Sequence, residues 1–362
     1  MSTHLRHIGI GFGDIRHFHD GLGEFSRQHG LHIAAFAKTW RQDFGLQVHL
    51  HLPGKWHGIF GDDVSYLSTE SGQQHFHWQP HRFDVWHQLH QHIRHRAPLG
   101  TRHCITTLHD LNMVYAKQGF SRWRALRKQV RLLKRADEII CISDHVLSDL
   151  KQHTRLKTPA VRIHNGVNSL AAEPQTPVSE LEDQPYLFHI GRMTPNKNVE
   201  CLIELAEHWP DQQFVFAGPR SGYTEGFQHE ASARGLANVR FLFDVSESQK
   251  AWLYAHCEAL LMPSLTEGFG LPAIEAMYFG RPVFLSALTS LPEIGGETAR
   301  YFHNFEPESM RQTIQSGLRD MREPGSEDRI KAWAQNFTWD NCIRRYISRY
   351  AKALDLPLWG AQ

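Results

Sequence analysis

Glu267 and Glu275 bracket a glycine-bearing loop, Thr266-Glu267-Gly268-Phe269-Gly270-Leu271-Pro272-Ala273-Ile274-Glu275. Gly268 and Gly270 let backbone approach a ligand closely, and a helix opening at Pro272 aims its first N–H groups at whatever sits there. The guest that suits such a loop is a phosphate or diphosphate. Carboxylates repel phosphate, so the two glutamates fit better as acceptors for hydroxyls carried on either side of it. A diphosphate with hydroxyl-rich groups at both ends is a nucleotide-sugar. Taken alone, the glycines also suit an ordinary strand-loop-helix turn.

Three further strings carry chemistry. Gly191-Arg192-Met193-Thr194-Pro195-Asn196-Lys197-Asn198 sets two cations, Arg192 and Lys197, between an apolar run and the start of a helix. A helix start disfavours cations, so the pair makes more sense facing a diphosphate whose charge grows as a bond to it breaks. Asp20-Gly21-Leu22-Gly23-Glu24-Phe25 is a glycine pair that reads either as a packing device at a helix start or as a phosphate loop. Thr107-Leu108-His109-Asp110 places His109 at the end of a strand, with Asp110 beside it as a group that could orient the ring.

The elements that must position these residues alternate. Apolar runs at 7–10, 31–36, 83–87, 103–108, 138–142 and 160–163 read as strands separated by helical lengths, with a helix opening at Gly21. Residues 171–185 are rich in Pro, Glu, Gln and Ser and read as a linker. A second set follows at 186–190, 213–217, 239–242, 259–262 and 282–285, with a helix over 273–279 ended by Gly280. Ile343, Tyr346, Ile347, Tyr350 and Leu354 recur with a helical period. The expected architecture is α/β, with two Rossmann-like domains facing across a cleft: 1–170, a linker over 171–185, 186–338, and a terminal helix in 339–362.

The string around Glu267 and Glu275 resembles the paired-glutamate signature of retaining GT-B glycosyltransferases, in the large GT4-like group known as glycosyl transferases group 1. The resemblance implies that Glu267 contacts hydroxyls of the donor sugar and Glu275 holds the ribose. It implies that backbone at Gly268, Phe269, Gly270 and Leu271 faces the diphosphate and that Arg192 and Lys197 grip it. Gly21 and Gly23 resemble the family's first-domain glycine loop. His109 resembles its His-Asp element, which binds the transferred sugar near its reacting end. Weaker matches at 163–168 and 291–296 extend the likeness from Gly21 to Tyr350. In this family the terminal helix crosses back to the first domain, and the reaction runs by front-face displacement, the departing phosphate helping to deprotonate the acceptor. The implied activity is a metal-independent hexosyltransferase with no cofactor. Its donor would be a nucleoside-diphosphate sugar of the GDP-mannose or UDP-glucose type, and its acceptor a saccharide or lipid-linked saccharide. One departure is Asp244, where the family often has Gly. It reads as the cap of the following helix or as a reader of a guanine edge, with the cap favoured.

Bulk properties agree. The chain has 362 residues, with 39 Lys and Arg against 38 Asp and Glu, so it has no strong nucleic-acid footprint. No apolar run is long enough to span a bilayer, the first residues are too polar for a signal peptide, and the scattered cysteines suit a reducing cytoplasm. Seven histidines between His75 and His95 read as polar substitutes on an exposed helix and loop rather than as a metal site. Arg122–Arg135 has cations at helical spacing with Trp123, Leu126, Val130 and Leu133 on another stripe. That pattern suits either a peripheral contact with an anionic membrane at the inner face of the cell or a solvated helix with a core face behind it. Rival readings are a GT-B nucleotide-sugar epimerase and a catalytically silent GT-B subunit. The silent subunit would be expected to lack Glu267, Arg192 or Lys197, and all three are present.

Overall fold

A computed structural model describes residues 5–18, 21–181 and 184–356. The chain divides into two compact units, one formed by residues 1–166 with 339–362 and the other by Val167–Thr338.

The first unit is built on seven parallel strands: β1 (Arg6–Gly11), β2 (Leu46–Leu52), β3 (Ser65–Ser68), β4 (Val85–Gln88), β5 (His103–Leu108), β6 (Glu138–Cys141) and β7 (Ala160–Arg162). Their order is β3-β2-β1-β4-β5-β6-β7. Its helices are α1 (Gly21–Phe44), α2 (Met113–Ala116), α3 (Gly119–Leu133) and α4 (Asp144–His153). A terminal helix, Trp339–Ala353, completes this unit. Trp339, Ile343, Tyr346, Ile347 and Tyr350 of that helix are buried in the same apolar cluster as Ile8, Val48 and Ile105 of the sheet. A polar chain runs through this contact. His29 Nε2 and His87 Nδ1 lie 3.0 and 2.6 Å from the Tyr350 hydroxyl, and Thr107 Oγ1 bridges His87 Nε2 to the Tyr346 hydroxyl.

The strand expected over 31–36 is instead the middle of α1. Its buried residues Gly30, Ile33, Ala37 and Trp40 fall at helical spacing, and the alanines that made the run look apolar favour a helix. The second strand is β2, whose alternating Gln and His masked it although all seven of its residues are buried. Polar partners make that burial tolerable: His49 Nε2 lies 2.9 Å from His7 Nδ1, and His51 Nε2 lies 2.7 Å from Gln73 Oε1. The histidine tract also departs from the exposed reading. His77, His87 and His95 are buried and only His75, His81 and His92 are exposed. Among the described residues no group of three or more His, Cys, Asp or Glu is arranged to hold a metal ion.

The second unit has six parallel strands: β8 (Tyr186–Ile190), β9 (Gln213–Gly218), β10 (Val239–Phe243), β11 (Ala259–Met262), β12 (Val283–Ser286) and β13 (Arg300–Phe302). They run in the order β10-β9-β8-β11-β12-β13. Among the described residues its helices are α5 (Val199–His208), α6 (Gly222–Ala233), α7 (Glu247–His256), α8 (Leu271–Tyr278), α9 (Leu291–Gly295), α10 (Pro307–Asp320) and α11 (Ser326–Ala334). The strand order reverses between β8 and β11. In open parallel sheets the crevice beyond the carboxyl ends of the strands at such a reversal is where ligands bind. The linker-like stretch is tied to this unit. Thr176 N donates to Ser248 O at 3.1 Å and Leu181 is buried.

Candidate active site

The loops after β8 and β11 leave the sheet on either side of the strand-order reversal, and the structure stitches them together. Leu265 N donates to Asn196 O at 2.8 Å, and Asn196 Nδ2 donates to Thr266 O at 3.1 Å. Lys197 on the first loop thereby meets Glu267 on the second, its ammonium resting on Oε1 of the carboxylate. Ser264, wholly buried, donates its hydroxyl to the same oxygen at 2.9 Å. The backbone of Glu267 is held as well. Its N–H donates to Thr289 Oγ1 at 3.0 Å, and Ser290 Oγ donates to the carbonyls of Glu267 and Phe269 at 3.1 and 2.9 Å. With Oε1 shared by two donors, Oε2 of Glu267 is left as the accepting atom.

Gly270 caps α8 with φ +116°, a conformation that requires glycine, and a Cβ there would lie 2.8 Å from Leu291 Cδ2. Phe269 points its ring inward against Phe337, 5.9 Å between centroids. Gly268, Phe269 and Gly270 lead directly into the start of α8, whose first residues are Leu271 and Pro272. One turn on, Glu275 accepts from the Tyr254 hydroxyl at 2.6 Å and lies 3.7 Å from Lys250 Nζ, both on α7. Burial, reinforced by the Glu275 carboxylate, pushes the Tyr254 phenol well above its ordinary range, so it stays a donor. Arg192 is exposed and makes no side-chain hydrogen bond or ion pair among the described residues. The two cations of this loop are therefore not equivalent, because one is already neutralised.

Asp244 does not cap α7. Ser246 does, accepting from Gln249 N at 3.2 Å. Asp244 takes the left-handed conformation, φ +51°, that glycine adopts readily, and its carboxylate accepts from Arg220 N at 3.1 Å.

In the first unit, His109 follows β5 and is buried. Its N–H donates to Gln91 Oε1 at 3.0 Å and its Nε2 lies 2.9 Å from Leu89 O. Since a carbonyl only accepts, Nε2 carries the proton and Nδ1 is the lone-pair nitrogen. Burial lowers the pKa to about 4, so the ring is neutral near pH 7. Asp110 does not orient it, because that carboxylate accepts from Asn112 N at 3.0 Å. The ring is fixed instead by the Leu89 carbonyl and by Phe25, whose centroid is 4.7 Å away, while Gln91 holds the backbone. Gly21 and Gly23 play different parts. A Cβ on Gly23 would lie 2.7 Å from His17 O, a packing requirement, whereas one on Gly21 would meet nothing within 4 Å. Asp20, before them, lies outside the described residues.

The family Glycosyl transferases group 1 matches residues 173–336, and Glycosyltransferase Family 4 matches residues 16–169. The two matches lie side by side and span most of the chain. The chain belongs to the GT4-like glycosyltransferases. O-antigen chain mannosyltransferase B of Escherichia coli is 27% identical to this glycosyltransferase over 288 residues, covering 74% of each chain. Among solved structures, sucrose-phosphate synthase from Thermosynechococcus elongatus superposes with a TM-score of 0.74 at 18% identity, covering 97% of this chain and 99% of that one. Anabaena HepE in complex with UDP-glucose superposes with a TM-score of 0.69 at 17% identity, covering 96% and 100%. These likenesses show the GT-B fold.

Sequence reasoning missed Ser264, Asn196, Thr289, Ser290, Tyr254 and Lys250. Their types and spacings carry no signal, since each matters only through a tertiary contact: Asn196, Thr289 and Ser290 through loops after β8 and β12 that meet the loop after β11, Ser264 through its turn toward Glu267, and Tyr254 and Lys250 through α7 lying against Glu275 of α8.

Proposed function

We propose that this glycosyltransferase is a retaining, metal-independent hexosyltransferase. It would move a hexose from a nucleoside-diphosphate sugar of the GDP-mannose or UDP-glucose type to a saccharide or lipid-linked saccharide acceptor, in assembly of a surface polysaccharide or similar glycoconjugate. The observation that carries the reading is the meeting of Lys197 and Glu267 at the strand-order reversal, beside the α8 N-terminus and Glu275. In this reading Arg192 and Lys197 hold the diphosphate and take up the charge that grows as the bond from the anomeric carbon to the phosphate oxygen breaks. Backbone from Gly268 to Leu271 supports the same charge. Glu267 Oε2 accepts from a hydroxyl of the sugar and Glu275 from one of the ribose. The family resemblance assigns His109 to the transferred sugar and Gly21 and Gly23 to the first-domain glycine loop. The acceptor oxygen bonds to the face the phosphate leaves, and its proton passes to that phosphate. The E. coli relative is named for O-antigen chain mannosyl transfer, which favours a mannosyl donor and a polysaccharide product.

The acceptor's lipid would bring the enzyme to the inner face of the cell membrane, and α3 supplies a basic surface for that contact. Arg124, Arg127, Lys128, Arg131 and Lys134 are exposed. The core-facing stripe differs from the expected one, because the buried residues are Gln129 and Leu133. Trp123 turns outward, 51% exposed, and stacks with Phe120, 73% exposed. Among the described residues no helix is long and apolar enough to cross a membrane.

The test of the donor reading is thermal shift against a panel of nucleotide-sugars. One nucleoside-diphosphate sugar should raise the melting temperature in proportion to its occupancy. No shift with any member of the panel would overturn the reading.

A further inference from the structure

A second exposed apolar cluster lies outside α3 and outside the donor site. Phe76 is 62% exposed, Trp78 64% and Leu99 57%. They are not on a loose loop. His77, between the two aromatic residues, is buried and its Nδ1 lies 2.8 Å from Arg96 O. Leu99 N donates to His77 O at 2.8 Å, and Arg96 N donates to Gln73 O at 2.9 Å. The buried histidine thus pins two segments together and turns Phe76 and Trp78 outward beside Leu99. Large aromatic groups held rigidly in water are costly unless something covers them.

The surroundings choose the cover. Arg82, Arg94, Arg96 and Arg102 are exposed around these two segments. Of the nearby acids, Asp84 is taken by Arg102 at 3.2 Å, and Glu70 remains. The charge continues into α3. Arg135 Nη1 donates to Arg94 O at 2.9 Å, and burial, with the charges of Arg96 and Arg131 as smaller causes, lowers the Arg135 pKa. A cationic band therefore runs from α3 to the pinned loops, with Phe120 and Trp123 at one end and Phe76, Trp78 and Leu99 at the other. Aromatic residues that bracket clustered arginines match the boundary of an anionic bilayer, where rings enter the headgroup level and guanidiniums meet lipid phosphate.

We infer that Phe76, Trp78 and Leu99 form a second membrane anchor, which inserts into an anionic bilayer while the arginines between it and α3 bind the headgroups. The inference extends the α3 contact and takes from it only the choice of an anionic surface, so the test separates the two. The full-length protein is mixed with vesicles of phosphatidylglycerol and phosphatidylcholine, with and without brominated acyl chains, over a salt series. Replacing Phe76 and Trp78 by Ala should lower vesicle affinity by about tenfold or more, from the apolar area withdrawn, and leave the slope of affinity against salt unchanged. Replacing Arg124, Arg127, Arg131 and Lys134 by Gln should flatten that slope and leave quenching of Trp78 by bromine in whatever protein still binds. Trp78→Phe should remove one quenched component and keep binding. An intact nucleotide-induced thermal shift confirms that each variant is folded. Unchanged affinity in the double Ala variant, or identical quenching in wild type and Trp78→Phe, overturns the anchor. So does a dimer that the double Ala variant converts to monomer while vesicle binding persists, because the patch would then be covered by a second copy of the chain. If the loop variant loses binding and the α3 variant does not, the α3 reading alone fails.

Discussion

Lys197 is bonded to Glu267, so the cation proposed to grip the donor phosphate rests on the carboxylate proposed to hold the donor sugar. Both side chains are largely shielded, at 20% and 11% exposure, and Ser264 holds the carboxylate from its buried side. If the proposed donor binds here, its phosphate would compete with Glu267 for the ammonium while Ser264 keeps the carboxylate aimed.

That competition has a consequence for Glu267 variants. Glu267→Ala or Glu267→Gln should cut turnover by at least about a hundredfold, because contacts to the reacting sugar are lost. Neither should weaken binding of the bare nucleoside diphosphate, and both should tighten it, because Lys197 is released and a nearby negative charge is gone. Calorimetry with the diphosphate, alongside initial rates with the full donor, reads both quantities. A diphosphate affinity that drops together with turnover would show that Glu267 supports the fold of the site rather than competing for its cation.

Arg192 and Lys197 should part company in stability though not in ligand preference. Each Ala variant should weaken the nucleoside diphosphate more than the bare nucleoside, since both cations act on phosphate charge. Lys197→Ala also strands a mostly buried carboxylate and should cost about 1–2 kcal/mol of folding stability. Arg192→Ala, at an exposed and unpaired position, should cost almost nothing. Adding Glu267→Gln to Lys197→Ala should restore most of the loss, a coupling that a double-mutant cycle in urea measures. Additive losses would mean the ion pair contributes no stability.

The alternating α/β pattern was legible because buried parallel strands are short apolar runs, as at Phe188 in β8 or Leu260 in β11. The fold failed to show where chemistry and period disagreed. Ala34 and Ala35 look strand-like by hydropathy yet belong to α1, and His49 and His51 look solvent-facing yet are buried behind hydrogen bonds. The sequence singled out residues whose types are unusual for their place, Glu267 before a glycine-bearing loop and Lys197 before a helix, and the structure joins these two in an ion pair. Its scaffold was not. Ser264 and Thr289 are ordinary loop residues until β8, β11 and β12 bring their loops together. Asp244 shows the same limit, since a cap was inferred from the neighbouring helix while the structure uses the carboxylate to tie Arg220 to the end of β10.

Activity should survive chelation. The charge of the diphosphate is met in this reading by Arg192, Lys197 and the α8 N-terminus, and the sequence offers no Asp-x-Asp cluster to carry a metal on it. Rates measured after exhaustive treatment with EDTA should match those of the untreated enzyme. Loss of activity that manganese restores would refute the metal-independent mechanism and return attention to the histidines of residues 75–95.

Mild acid should destabilise the protein well above the range where its carboxylates protonate. Burial depresses His29, His49, His51 and His90 to about 3, His109 and His189 to about 4, and lowers His87 as well, with neighbouring histidines, or Lys197 for His189, as the smaller cause. In the unfolded chain the same rings take a proton near the ordinary value of 6.5. Between the two values the unfolded state binds more protons, so stability is full above about pH 6.5 and falls as pH drops toward the folded values. Each fully titrating ring contributes about 1.4 kcal/mol per pH unit in that window. Two or three acting together therefore remove about 3–4 kcal/mol per unit, a large part of the 5–15 kcal/mol typical of a folded protein. Six of the seven rings, all but His189, carry native hydrogen bonds in the first unit to Tyr350, Thr107, His7, Gln73, Phe12 or Leu89, so that unit should unfold first. Urea midpoints at pH 7.5, 6.0 and 5.0 measure the slope, and His49→Gln should lower the protons taken up on unfolding by about one. Midpoints that stay level from pH 7.5 to 5.0 would mean that these rings are protonated in the folded protein, and the neutral His109 assigned to the site would go with them.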